Sequence, residues 1–146
     1  MHPKHDEDFY GWAMANASLL KKGKYKEADM DKIIEEMETL GRSNKRELIS
    51  RSGVLIAHLL KWHYQPDMRE PSRKSWKGTI ERQRIEIDDL LGENPSLKSR
   101  IQETMPKAYK YALSILEEET PIDLKLLPDH CPYTFEQLID ETFFPK

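Results

Sequence analysis

The chain has 146 residues, 38% hydrophobic and 34% charged, with a net charge of −3. That length suits one domain with a full core, and the grouping of apolar residues excludes a disordered polyelectrolyte. The longest apolar run, Val54 to Leu60, is broken by His58 and falls far short of the ~20 residues that span a bilayer; the polar opening MHPKHDEDFY has no leader-like apolar region, and the lone Cys131 allows neither an internal disulfide nor a cysteine-based zinc site.

In chain order, Asp8 to Lys22 predicts a first helix, with Asp6 or Asp8 at its N-terminus, Phe9, Trp12, Ala13, Asn16, Leu19 and Leu20 near one face and Gly23 as terminator. Asp29 to Leu40 predicts a second, with Asp29 as cap, Met30, Ile33, Ile34, Met37 and Leu40 as its buried stripe, and Gly41 as its end. Asn44 to Tyr64 predicts the third and longest, opened by an Asn44–Glu47 capping box or by Ser43, with the stripe Leu48, Ser52, Leu55, Leu59 and Trp62. From Val54 onward it is apolar almost all round, so the His58 ring is expected to be buried, bonded to a carboxylate or backbone carbonyl of the second or fourth helix. Gln65 to Ser72, with Pro66 and Pro71, predicts a stiff loop. Ser75 to Leu91 predicts a fourth helix with Gln83 on its apolar stripe, and Asn94-Pro95 starts a fifth that runs to about Glu119 and is kinked or broken at Pro106.

Thr120 to Tyr133, with three prolines, predicts an irregular segment laid over the helices, covering Ile122, Leu124, Leu126 and Leu127. Thr134 with Gln137 reads as a capping box opening a short last helix to Asp140. No segment alternates in the manner of a strand. The expectation is an all-α, compact, bundle-like domain of five to six helices over residues 1–146, soluble and cytoplasmic, with no membrane attachment.

Several stretches together resemble one family. They are DFYGWAMANASLLKKGKY, DKIIEEMETLGRSNKREL, HLLKWHYQP, SWKGTIERQR, NPSL and CPYTFEQLID, which cover nearly the whole chain in order. The chain is similar to the largely bacterial family known as domain of unknown function 29. The resemblance implies a compact helical domain in a bacterial protein, and it supplies no activity and no catalytic residue.

Charge is segregated. Glu27 to Leu40 carries six acids against Lys32, Lys61 to Arg84 carries seven bases against three acids, and Glu117 to Glu141 carries eight acids against Lys125. The basic middle either pairs within the fold or faces an anionic partner.

Three functions follow as alternatives. The first is a non-enzymatic helical domain that meets an unidentified protein partner, because a strong helical pattern comes without a catalytic set. The second is an enzymatic or metal-dependent site in which Glu36 or Glu38, His58, Gln83 and Arg84 converge, since polar residues on apolar stripes cost stability unless satisfied. No metal and no cofactor is expected, because His63 stands about 140° round the helix from His58 and the Glu-x-x-His pattern of carboxylate bundles is missing. The third is a nucleic-acid surface of Lys61, Trp62, Arg69, Arg73, Lys74, Trp76 and Lys77; the tryptophans lie on the stripes of their own helices, which favours core packing instead. His130-Cys131 lacks an activating partner, and phosphate-loop, nucleophile-elbow and HExxH motifs are absent.

Overall fold

The computed structural model describes residues 3–146. Five α-helices follow one another: α1 (Phe9–Lys21), α2 (Met30–Tyr64), α3 (Arg69–Glu93), α4 (Ile101–Glu119) and α5 (Phe135–Ile139). Short 3₁₀ turns stand at Pro66–Met68, Pro95–Arg100 and Leu124–Leu126, and no strand occurs among the described residues. The all-α expectation holds. No described helix is long and apolar enough to cross a membrane.

The local signals worked where a side chain caps its own helix. The Asp8 carboxylate accepts from the Gly11 N–H at the start of α1. At α5, Thr134 and Gln137 form the reciprocal capping box. Gly23 adopts φ 73°, the left-handed conformation that glycine tolerates best.

Three expectations need correction. Gly41 ends nothing: the second and third predicted helices are one continuous α2 of 35 residues. A glycine interrupts a helix only mildly, at about 1 kcal/mol against alanine, and Ser43 and Asn44 are interior residues rather than caps. The loop at 65–72 shrinks to one turn, because Pro71 sits in the first turn of α3, where a missing N–H costs nothing. Pro106 lies inside α4 without breaking it; the carbonyl left without a donor belongs to Gln102, and both residues are exposed.

The chain divides into two compact units, Met1–Ser43 and Asn44–Lys146. In the first, Trp12 and Asn16 of α1 are buried. The Asn16 side chain donates to the Trp12 carbonyl at 2.9 Å and accepts from the Asp29 N–H at 2.7 Å, so one amide ties α1 to the start of α2. His5 joins this unit through edge contacts with Trp12 and Phe9.

The second unit holds a larger core. Leu48, Leu55, Leu59 and Leu60 of α2 meet Ile80 and Ile87 of α3 and Ala108, Ala112 and Leu116 of α4, all fully buried. Over them lies the segment after α4, which contributes Leu127, Tyr133 and Leu138 to the core. Leu126, expected to be covered, is instead 74% exposed. The Tyr109 hydroxyl fixes this segment by donating to the Pro128 carbonyl at 2.6 Å. Helices α2 and α4 approach closely at Gly53: a Cβ there would stand 3.0 Å from the Ala108 carbonyl oxygen and 2.5 Å from the Tyr111 ring.

Candidate functional site

The basic and aromatic residues between 61 and 77 are largely engaged with their own unit. Trp62 and Trp76 are buried. The Arg69 guanidinium donates to the Trp62 carbonyl at 2.7 Å and stands 5.6 Å from its ring centroid, with Arg73 at 5.4 Å. Phe144 packs on the same ring at 4.9 Å. Trp62 therefore spends its π-face on the protein's own cations rather than on a nucleobase. Arg73 also pairs with Glu70 at 2.9 Å, Lys77 with Glu81 at 3.9 Å, and the buried Lys61 reaches Glu119 at 3.4 Å. Lys74 is exposed, with no ion pair among the described residues.

Of the five residues of the expected polar cluster, four find separate partners and Glu38 has none among the described residues. Glu36 accepts from His5 at 2.5 Å within the first unit, and Glu38 is exposed there. In the second unit, His58 donates through Nδ1 to the Val54 carbonyl at 2.8 Å, one turn back in its own helix, and its ring is half-buried. The expected bond to a neighbouring helix is not made. Gln83 accepts from Arg51 at 3.4 Å. No hydrogen bond joins His58, Gln83 and Arg84 to one another. Among the described residues, no three His, Cys, Asp or Glu side chains come together in a way that could hold a metal ion.

Arg84 has the densest polar surroundings. It is 4% exposed and points at the chain after α4. Its Nε donates to the Leu138 carbonyl at 2.6 Å, and its Nη2 to those of Phe143 at 2.8 Å and Gln137 at 3.3 Å. The Glu141 carbonyl lies at 3.5 Å from Nη1. These carbonyls follow or close the short α5, where helical donors run out; the Gln137 carbonyl also accepts from the Asp140 N–H at 3.3 Å. Phe144 covers the guanidinium at 5.4 Å.

Two surface clefts lie in the second unit. One, of about 470 Å³, is lined by Glu81, Arg84, Ile85, Asp88, Ile139 and Glu141. The other, of about 480 Å³, includes Ile101, Met105, Pro106, Tyr109, His130 and Cys131. Burial pushes the Cys131 thiol up from its ordinary pKa and the Tyr109 hydroxyl up to about 12, so neither is activated as a nucleophile. His58 lines neither cleft.

His58 and His5 are displaced in opposite directions. Burial lowers the His58 pKa below its ordinary 6.5, against the opposing bond to Val54. Hydrogen bonds to Asp6 and Glu36 raise that of His5. A depressed folded value means that His58 contributes stability above about pH 6.5, lost as pH falls toward the folded pKa; His5 contributes below that pH and loses its contribution as pH rises through its raised value. An NMR titration from about pH 5 to 8 is expected to show His58 titrating below and His5 above the ordinary imidazole, with the acid-side loss of stability flattened in His58→Asn. Identical midpoints for the two rings would contradict these environments.

A family model described as "Domain of unknown function DUF29" matches residues 5–144. The chain belongs to this family. No curated protein and no solved structure matches it. DUF29 membership thus agrees with the helical fold and brings no activity to test against the site. Within this DUF29 chain, sequence reasoning missed Gly53, whose absent side chain admits α4, and Tyr133, whose hydroxyl bridges His63 at 3.2 Å and the Leu59 carbonyl at 3.5 Å. Gly53, between the buried Ser52 and the apolar run from Val54, offered a weak signal of close helix approach.

Proposed function

We propose that this protein works through contacts with other protein chains, and that its first unit supplies the principal surface. The observation that carries this reading is apolar exposure. Tyr10 and Met14 on α1 are 76% and 55% exposed, and Ile34, Met37 and Leu40 on α2 are 50%, 67% and 65% exposed. Met30, Ile34 and Met37 fall at i, i+4 and i+7, the spacing by which one helix offers a continuous face to another. Scattered exposed leucines mean little; a contiguous apolar stripe on a small unit is the usual mark of an interaction face. Asp31, Glu35 and Glu38 on the same stretch give that face an acidic border.

The nucleic-acid reading has less support, because Trp62 is covered by arginines and most of the basic side chains are already paired. A bacterial, cytoplasmic setting fits the proposal, since a lone half-buried cysteine suits a reducing compartment.

The test is the double substitution Met37→Glu with Leu40→Glu. Both residues are exposed, so helicity and melting temperature are expected to stay near wild type, within about 0.5 kcal/mol per site. Self-association by light scattering, and capture of partner chains by the full-length protein, are expected to fall together. Wild-type association in the double variant would sink the assignment of this face.

A further inference from the structure

We propose that the cleft between α3 and α5 docks a cationic amphipathic helix of a partner protein. Its walls are two aliphatic side chains, Ile85 on α3 at 61% exposure and Ile139 on α5 at 39%. Its rim is acidic, with Glu81 and Asp88 on α3 and Glu141 just past α5. Positions 81, 85 and 88 share one face of α3, so carboxylate, isoleucine and carboxylate follow one another along the cleft.

The charge on this rim is only partly offset from within. Arg84 lines the same cleft, yet its nearest acceptors are the backbone carbonyls of Gln137, Leu138, Glu141 and Phe143 and not the carboxylates. Lys77 pairs with Glu81 at 3.9 Å, whereas Asp88 and Glu141 have no ion pair among the described residues. Three carboxylates against the buried Arg84 guanidinium and Lys77 leave the cleft net negative. A small cation would satisfy the carboxylates and leave both isoleucines in water. A helix with leucine-like residues flanked by lysine or arginine satisfies both, and about 470 Å³ holds its anchoring side chains. This surface belongs to the second unit and is independent of the apolar stripe on the first, so either can fail without the other.

The experiment uses the full chain and a labelled synthetic peptide of leucine and lysine at helical spacing, with a leucine–glutamate peptide of equal length as control. Anisotropy titration is expected to show salt-sensitive binding of the lysine peptide alone. Amide shifts in the unmodified protein should centre on Ile85, Asp88 and Ile139. Affinity should fall at least about tenfold in Asp88→Lys with Glu141→Lys, and comparably in Ile85→Ser, while Glu117→Lys leaves it unchanged. Three results would overturn the proposal: no binding of the lysine peptide, equal binding by the charge-reversed protein, or shifts centred on Glu117–Glu119 or on the first-unit stripe.

Discussion

Gly53→Val is expected to destabilise the second unit by about 3 kcal/mol, as overpacking of a tight helix contact does. The new branched side chain would meet the Ala108 carbonyl oxygen at 3.0 Å from its first atom. The Tyr111 ring, 41% exposed, can swing aside; a backbone carbonyl in the middle of α4 cannot. The helices must part, and the fully buried Leu55, Ile56 and Ala112 nearby lose contact. Gly41 is the internal control. Nothing lies within 4 Å of a Cβ at Gly41, so Gly41→Ala should gain about 0.5–1 kcal/mol from reduced chain entropy. Urea unfolding with amide exchange in α2 separates the two cases. Equal midpoints for wild type and Gly53→Val would show that α2 and α4 part there without cost.

Arg84→Met should cost about 3–4 kcal/mol, because the apolar stem is kept while several backbone carbonyls lose a charged donor. The loss should be local first. Amide exchange in residues 135–144 is expected to accelerate well before α2 to α4 respond. Arg84→Lys discriminates between charge and geometry: one ammonium cannot span carbonyls that the planar guanidinium reaches together, so most of the loss should remain. Wild-type exchange in Arg84→Lys would show that charge alone suffices there.

What could be read from the sequence divides by range. Capping at Asp8 and Thr134 was legible because partner and cap lie within one turn. The stripe Leu48, Ser52, Leu55, Leu59 and Trp62 was legible from its helical period, and all five are buried; the same period at Met30, Ile34, Met37 and Leu40 misled, because period marks a common face and not what covers it, and those four are exposed. Gly41 misled because a stop requires the left-handed conformation, which only Gly23 adopts among the described glycines. Arg84 was marked as an anomaly on an apolar stripe, but its acceptors lie 53 to 59 residues away and are main-chain carbonyls. A carbonyl carries no side-chain identity, so no pattern in residues 137–143 announces it. His58 was placed correctly on its helix and misjudged in exposure, because a run of apolar neighbours does not say whether another element covers that sector.

The segment over the second unit also imposes an order on synthesis. Helices α2 to α4 leave the ribosome before Leu127, Tyr133 and Leu138 exist to cover them, and translation at ~5–20 residues per second makes that interval a matter of seconds. During it, the seats of those three side chains face water and Arg84 lacks its carbonyls. The nascent helices are then a partly closed core with an apolar opening, the kind of surface that holdase chaperones engage. Variants that loosen residues 127–143 should lengthen that window, and so reduce the yield of folded protein in cells more than their equilibrium stability alone would suggest.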